Sequence, residues 1–303
     1  MALAPQELRK KLTGAISFPV TPFNKDLTLD LDGLRKNLRL LIQHPIAAVV
    51  APAGTGEMFS LSPAEHLEVV KVTVEEVAGK VPVLTGVGFN QPIAVELAKQ
   101  SAAAGVDGIL CLPPYYPNAD DDGLIDYYAS VGNATPLGLL IYSRDWLAPS
   151  PAWVEKLASR VPTLIAWKDG QANMRKLSAI MQRVGDRLQW IGGAGDDLVP
   201  AYYSLGIRCY TSSIANVAPK LSLQLHDCAV SGDTATLGRL MRDYVVPLYE
   251  FRDRRKGYEV SVMKEMMMLI GMTGGPVRPP LNNLKPEEIE ELKVILQRWK
   301  PYL

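Results

Sequence analysis

The hydrophobic positions of the chain fall into two alternating kinds of segment. Eight short runs are apolar almost throughout and rich in β-branched residues, whereas the longer segments between them are amphipathic. A strand that is covered on both faces needs such a continuous apolar run. The pattern therefore predicts strands at residues 14–21, 46–53, 81–88, 108–114, 137–143, 163–169, 188–194 and 208–214.

Two of the amphipathic segments carry recognisable helix starts. Ser62 precedes Pro63 and is followed by Glu65, which is the arrangement of a capping box with proline at the first helical position. Ser150 and Pro151 repeat the cap and the proline. These signals predict one helix after the second strand and another after the fifth.

The order of these elements predicts the fold. Eight strand-then-helix units follow one another in about 220 residues. Strands joined by helices are parallel, because antiparallel neighbours need no helical crossover. The pattern is typical of an α/β fold of the (β/α)8 TIM-barrel type. The alternative is a doubly wound open sheet, which usually has a glycine-rich turn after its first strand; here that strand leads into FPVTPF (18–23), which contains no glycine.

The strand signal stops after residue 225. Three helical segments follow, and they are separated by Gly271 and by GGPVRPPL (274–281). The sequence therefore predicts a barrel catalytic domain at residues 1–225 and a C-terminal helical extension at residues 226–303, with helices at 233–250, 257–270 and 286–299.

Composition indicates which kinds of binding partner and which compartment to expect. Lys and Arg together number 32, as do Asp and Glu, so the chain has no net charge. This balance gives no electrostatic reason to expect nucleic acid or an anionic membrane as partner. No segment approaches the roughly 20 apolar residues of a membrane span, and the N-terminus has no signal-peptide pattern. Three cysteines, odd in number and far apart, favour a reducing cytoplasm, and the three histidines make no metal-ligand spacing with them.

One charged residue interrupts a predicted strand. Lys168 is the penultimate residue of TLIAWKD (163–169), which is almost entirely apolar before it. Chemistry in a barrel takes place at the carboxyl ends of the strands, so this amine would lie at the rim near an apolar interior. Burial lowers a lysine pKa, and a neutral amine is a nucleophile for carbonyl carbons. The alternative is a lysine that reaches out to water or pairs with Asp169.

Two further strand ends support the catalytic interpretation. Tyr142 ends the fifth strand, next to the sixth in a barrel, so its phenol can lie near the Lys168 amine and carry protons. The second strand leads into AGTGE (53–57), whose glycines let a ligand approach the backbone and whose Thr55 offers a hydroxyl and an N–H to a carboxylate. The alternative is a tight turn in which Glu57 is a structural hydrogen-bond acceptor.

Together these motifs resemble the superfamily of Schiff-base barrels that contains dihydrodipicolinate synthase and N-acetylneuraminate lyase. The resemblance covers nearly the whole chain, from FPVTPF through GTGE, the strand-five tyrosine and the strand-six lysine to the C-terminal helices. Within it, the 5-dehydro-4-deoxyglucarate dehydratases are the most similar, at IYSRD (141–145), WKDG (167–170), RRKGYEVS (254–261) and GPVRPPL (275–281). Synthases and lyases usually show Tyr-Asn-x-Pro after the fifth strand. This chain has Ser143 and Arg144 there, with serine also standing where asparagine is expected in the dehydratases.

The resemblance implies a homotetrameric enzyme that dehydrates and decarboxylates a small sugar acid without a metal or an organic cofactor. Lys168 would form an imine at the keto carbon of the substrate, and Tyr142 would carry protons. The carboxylate of the keto acid would be held by Gly54, Thr55 and Gly56.

Other polar residues near the strand ends have two interpretations each. Arg144 would either bind the far carboxylate through a bidentate fork or form an ion pair with Asp145 at the rim. The residues that end the eighth strand would contact the substrate hydroxyls or cap a turn; these are Ser212, Ser213 and Asn216. Synthases lend a tyrosine to a neighbouring subunit from a loop in which this chain has Tyr115 and Tyr116.

An alternative function uses the same lysine. A Schiff-base aldolase or synthase acting on another 2-keto acid would share Lys168 and Tyr142 and differ in the loop after the tyrosine. A non-catalytic barrel would be indicated by the loss of either residue, and both are present. The sequence GGAGD (192–196) predicts close backbone packing near the substrate. The basic run RDRRKG (252–257) predicts a solvated helix face or an ion-pair site between subunits.

Overall fold

Eight parallel strands pair in chain order and close into a barrel in the computed structural model, which describes residues 2–303. The predicted TIM-barrel class is confirmed, and each predicted strand is present, although most are shorter than predicted. The first strand ends at Ser17 rather than residue 21, because Pro19 has no N–H to donate to a neighbour. The strands are β1 (Gly14–Ser17), β2 (Ala48–Val50), β3 (Val83–Phe89), β4 (Gly108–Pro114), β5 (Gly138–Ser143), β6 (Leu164–Asp169), β7 (Gln189–Gly192) and β8 (Cys209–Ser212).

The two helices for which the sequence predicts a start begin where predicted. Ser62 accepts a hydrogen bond from the Glu65 N–H, and the Glu65 side chain accepts one from the Ser62 N–H at 2.9 Å. Ser150 caps the helix after β5 by accepting from the Trp153 N–H. The helices are α1 (Pro5–Lys11), α2 (Leu31–Leu41), α3 (Pro63–Val77), α4 (Gln91–Ala104), α5 (Asp121–Gly132), α6 (Pro151–Arg160), α7 (Met174–Val184), α8 (Val199–Ser204) and α9 (Pro219–Ser231).

The interior of the barrel is filled by apolar side chains, so it is a packed core and not a channel. Leu8 of α1 and Leu12, which directly follows α1, belong to this core and are fully buried. A β-carbon added at Gly108 or Gly138, the first residues of β4 and β5, would meet Leu8, which places α1 across the amino ends of the strands. The opposite rim, at the carboxyl ends, is therefore the one left for ligands.

The predicted C-terminal extension consists of α10 (Thr234–Leu240), α11 (Val246–Arg252), α12 (Tyr258–Leu269) and α13 (Pro286–Arg298). A π-helical segment, Met241–Val245, joins α10 to α11, so these form the single helix predicted at 233–250. Buried residues of the extension share one apolar cluster with those of α8, α9 and β8. The predicted boundary at residues 225/226 lies inside α9, and the two-domain division stays a prediction. None of the helices within residues 2–303 combines enough length with enough apolar character to cross a bilayer.

Candidate active site

The carboxyl ends of the strands surround a cavity of about 420 Å³, and Lys168 of β6 reaches into it. The lysine side chain is buried, with 3% of its surface exposed. Its amine donates a hydrogen bond to the Gly193 carbonyl at 3.0 Å. The same nitrogen lies 2.9 Å from the centroid of the Tyr142 ring and 5.2 Å from that of Phe18. The lysine therefore neither reaches out to water nor forms an ion pair with Asp169, which were the two alternative interpretations.

The surroundings of Lys168 favour its neutral form. Burial is the main cause that lowers the pKa of Lys168 well below its usual range. The positive charge of Arg144 lowers it further, and Asp169 opposes the shift. Because only the neutral amine attacks a carbonyl, this pocket favours the nucleophilic form of the lysine.

Tyr142 lies beside Lys168 because β5 and β6 pair with these two residues in register. Its hydroxyl donates to the same Gly193 carbonyl at 3.0 Å, so phenol and amine converge on one point. Burial raises the pKa of Tyr142 to about 12. A β-carbon at Gly193 would collide with the Lys168 side chain, which confirms the close backbone packing predicted for GGAGD.

The turn after β2 contributes its first two predicted residues to the cavity. Gly54 and Thr55 line it, whereas Gly56 lies just behind. The Gly56 carbonyl accepts from the Thr21 hydroxyl at 2.7 Å, and a β-carbon at Gly56 would lie only 3.0 Å from the Pro19 carbonyl oxygen. Glycine at this position thus permits the turn to pack against the loop after β1.

A buried ion pair holds this turn from behind. Glu57 and Lys264 of α12 approach to 2.5 Å, and their side chains are 0% and 1% exposed. The Lys264 amine also donates to the Pro276 carbonyl at 2.9 Å, and the Arg278 N–H donates to Glu57 at 3.0 Å. Burial lowers the pKa of Lys264 to about 8, against the opposing charge of Glu57. Glu57 is therefore the structural acceptor that the sequence offered as one alternative.

Arg144 lines the cavity and is paired within the rim. Its Nε atom lies 2.7 Å from the Asp145 carboxylate, and its guanidinium carbon lies 5.3 Å from the centroid of the Tyr142 ring. A β-carbon at Gly54 would lie 3.1 Å from an Arg144 nitrogen. The ion pair predicted as one alternative is thus present, and Arg144 borders the wall formed by the turn after β2.

The three polar residues predicted at the end of β8 have different surroundings. Ser212 and Ser213 line the cavity. Asn216 does not: its amide donates to the Phe18 carbonyl at 2.9 Å, and its oxygen accepts from the Val20 N–H at 3.0 Å. Of the two interpretations for Asn216, contact with the substrate hydroxyls is corrected, because its side chain binds the backbone of the loop after β1.

Several residues that line the cavity had no predicted role in the site as individual side chains. Asp196 and Asp197 follow GGAG directly, and burial together with the charge of Asp196 raises the pKa of Asp197 to about 6. Tyr249 and Arg252 reach the cavity from α11. Their spacing of three residues, which puts them on one face of a helix, was an available signal. Arg252 is the first residue of RDRRKG, so one member of that basic run lies in the cavity.

Comparison with known protein families shows to which family the chain belongs. Residues 11–299 match the profile of the Dihydrodipicolinate synthetase family. The chain belongs to this family. Within residues 2–303, no three His, Cys, Asp or Glu side chains are grouped so that they could hold a metal ion.

Named relatives align with almost the whole chain. A protein of Bradyrhizobium diazoefficiens is 38% identical over 299 residues, which cover 98% of this chain and 95% of the relative. A protein of Arthrobacter sp. strain FB24 is 39% identical over 296 residues, with 97% of each chain covered. Both relatives are named probable 5-dehydro-4-deoxyglucarate dehydratase.

Solved structures of the family share the architecture. Dihydrodipicolinate synthase from Oceanobacillus iheyensis superimposes with a TM-score of 0.92 at 27% identity, covering 98% of this chain and 99% of the synthase. A prophage protein of the dihydrodipicolinic acid synthase family from E. coli K12, solved in complex with pyruvate, gives a TM-score of 0.87 at 27% identity, covering 95% and 98%.

Proposed function

We propose that the protein is a decarboxylating dehydratase that converts 5-dehydro-4-deoxy-D-glucarate into 2,5-dioxopentanoate, CO2 and water through a Schiff base on Lys168. The observation that carries the proposal is the buried amine of Lys168, 2.9 Å from the centroid of the Tyr142 ring in the cavity at the rim of the barrel. The names of the relatives support the choice of substrate.

The first stage is formation of the imine. The neutral Lys168 amine attacks the keto carbon, and the keto oxygen leaves the carbinolamine as water. Tyr142 shares the Gly193 carbonyl with the amine, so its hydroxyl is positioned to move protons to and from the reacting atoms. The iminium withdraws electrons from the adjacent CH2 group, which loses a proton and gives an enamine.

The second stage breaks the C–O and C–C bonds. The enamine electrons re-form the iminium and expel the neighbouring hydroxyl, which takes a proton and leaves as water. The conjugated iminium then accepts the electron pair of the bond to the far carboxylate, which departs as CO2. Tautomerisation converts the remaining enol to an aldehyde, and hydrolysis of the imine releases 2,5-dioxopentanoate and Lys168. The iminium is the electron sink throughout, so the proposed route uses no metal, nicotinamide or pyridoxal.

The remaining predicted residues bind the substrate in this proposal. Gly54 and Thr55 present N–H groups and a hydroxyl to the carboxylate of the keto acid, and Gly56 shapes the turn. Arg144 adds positive charge beside that turn. Ser212 and Ser213 lie at the end of β8, where the substrate hydroxyls would lie.

Product analysis tests the reaction. The protein is treated with EDTA and incubated with 5-dehydro-4-deoxy-D-glucarate, and the products are followed by NMR together with CO2 release. We expect one CO2 and one 2,5-dioxopentanoate per substrate. Pyruvate with a three-carbon hydroxyaldehyde acid, and no CO2, would instead identify the Schiff-base aldolase that shares Lys168 and Tyr142.

We also propose that the chain forms a homotetramer in the cytoplasm. Tyr115 and Tyr116, in the loop after β4, are 87% and 62% exposed in the single chain. Large aromatic side chains with such exposure are typical of subunit contacts. Cys111, Cys209 and Cys228 are all buried and free, which suits a reducing compartment.

A further inference from the structure

The cavity contains two guanidinium groups whose electrostatic surroundings differ. Arg144 is already paired with Asp145 at 2.7 Å. Arg252, at the end of α11, forms no ion pair with any carboxylate in residues 2–303. Within residues 2–303, its guanidinium donates one hydrogen bond, from Nη1 to the Ser213 hydroxyl at 3.0 Å. Since a guanidinium carries five N–H donors, Arg252 has most of its donors left for a ligand in the cavity.

Arg252 packs against an aromatic ring, and the carboxylates near it lie beyond ion-pair distance. Its guanidinium carbon lies 4.6 Å from the centroid of the Tyr249 ring. The Tyr249 hydroxyl donates to Asp196 at 3.0 Å and accepts from the Asp196 N–H at 2.6 Å. Ser212 also donates to the Asp196 carboxylate. The Asp196 carboxylate thus has hydrogen-bond partners of its own. Asp196 and Asp197 interact electrostatically with Arg252 but form no ion pair with it, so the guanidinium N–H donors remain available to a ligand.

The two arginines border different walls. Arg144 adjoins Gly54 on the wall proposed to hold the carboxylate of the keto acid. Arg252 is joined to Ser213, which follows β8, and stands in the part of the cavity formed by α11 and the loop after β7. A dicarboxylic substrate anchored by its keto acid at the first wall needs a cation at a second place, and Arg252 supplies one.

We infer that Arg252 is the receptor for the far carboxylate of a dicarboxylic 2-keto acid, which assigns that role to α11 rather than to the loop after β5. This inference rests on the proposed Schiff-base function, and it names the residue that selects diacids over monoacids. The planar guanidinium offers a carboxylate two parallel N–H donors, which a lysine at the same position cannot do.

A pair of substrate analogues isolates the far carboxylate. 2-Oxoadipate and 2-oxohexanoate have the same six-carbon chain and differ only in the terminal carboxylate. Neither has a hydroxyl to expel, so each can form the imine but cannot be dehydrated. Each analogue is trapped on Lys168 with borohydride, and mass spectrometry gives its half-saturating concentration. We expect the wild-type protein to bind 2-oxoadipate more tightly than 2-oxohexanoate.

Four variants separate recognition from structure. Arg252→Gln is expected to weaken the binding of 2-oxoadipate by roughly 10- to 100-fold and to leave the binding of 2-oxohexanoate nearly unchanged. Arg252→Lys should recover part of the preference through its charge. Arg144→Gln should keep the preference. Arg254→Gln is the matched control, because Arg254 belongs to the same basic run but pairs with Glu291 at 2.6 Å and lies outside the cavity.

Several outcomes would overturn the inference. If Arg252→Gln weakens the binding of both analogues equally, the arginine only supports the fold around Ser213. Loss of the diacid preference in Arg144→Gln, with the preference intact in Arg252→Gln, would move the site to Arg144. A wild-type protein that traps neither analogue would overturn the inference together with the Schiff base. A protein that shows the diacid preference but yields pyruvate from the sugar acid would overturn the dehydratase alone.

Discussion

At the scale of single residues, the site depends on a lysine that is almost completely buried. Taking an ammonium out of water is costly, so burial favours the neutral form of Lys168 over the charged one. Asp169 partly opposes this, while Arg144 reinforces it. A structural lysine is better served by an acidic partner, as the ion pair between Lys264 and Glu57 shows in the same molecule.

Replacement of Lys168 tests the imine directly. Lys168→Arg should remain folded but form no borohydride-stable adduct with pyruvate, because a guanidinium stays protonated and is not a nucleophile. Mass spectrometry of peptides locates the adduct in the wild-type protein. Lys156→Arg, on the exposed face of α6 and paired with Asp122 at 2.6 Å, is the control that should keep the adduct. An adduct on a lysine other than 168 would contradict the assignment.

The hydroxyl group of Tyr142 is expected to contribute more to turnover than its aromatic ring. Tyr142→Phe keeps the ring against Lys168 and removes the hydroxyl, so turnover should fall by roughly 10²- to 10⁴-fold, the range for losing a positioned acid–base group. Steady-state kinetics with the sugar acid measures the change. A decrease of less than about tenfold would assign the proton transfers to water or to another group.

Arg144 should influence the pH dependence of imine formation. Its charge lowers the pKa of Lys168, so Arg144→Gln should raise that pKa and protonate more of the lysine at a given pH. The rate of adduct formation falls as the pH drops through the lysine pKa, and this fall should begin at higher pH in the variant. Borohydride trapping of pyruvate across a pH series measures the shift. An unchanged pH profile would show that the charge of Arg144 does not reach the amine.

At the scale of elements, the C-terminal extension supports the catalytic rim. Lys264 of α12 and the segment around Arg278 both contact Glu57, directly behind the turn of Gly54 and Thr55. Arg278 also pairs with Glu65 of α3 at 2.5 Å. The extension thus fixes the position of the turn that is proposed to bind the first carboxylate.

Removing one member of the buried pair should destabilise the protein. Lys264→Met leaves the buried Glu57 side chain without its ion-pair partner. Breaking a buried pair in this way lowers the free energy of unfolding by about 3–5 kcal/mol. Urea unfolding measures this loss. Combining Lys264→Met with Glu57→Gln should recover part of the stability, and Lys293→Met at an exposed pair with Glu290 should change little. A single variant as stable as the wild type would show that the pair is not a stabilising contact of the rim.

At the scale of the whole molecule, the exposed tyrosines after β4 point to subunit contacts. Light scattering should report a tetramer for the wild-type protein. Replacing Tyr115 and Tyr116 by serine should shift the mass toward a smaller assembly, because the apolar surface that drives association is lost. Val230→Ser, at a residue of α9 that is 49% exposed, is the control. An unchanged mass in the double variant would place the interface elsewhere.

The sequence by itself determined the strand order, the closure into a barrel and the position of Lys168 and Tyr142 on neighbouring strands. These follow from local rules: continuous apolar runs mark buried parallel strands, and strands joined by helices pair in order. The helix caps and the motifs at the strand ends are equally local, since a cap or a turn is made within a few residues.

Only the tertiary structure decided which polar side chains enter the cavity. Asn216 turns away to bind the backbone at Phe18 and Val20, and Arg252 enters from α11, some 80 residues after Lys168. The physical reason is that a side chain's direction depends on which backbone donors and acceptors, distant in sequence, need a partner. The pKa of Lys168 was decided at the same level, because desolvation depends on everything packed around the amine and not on the strand that carries it.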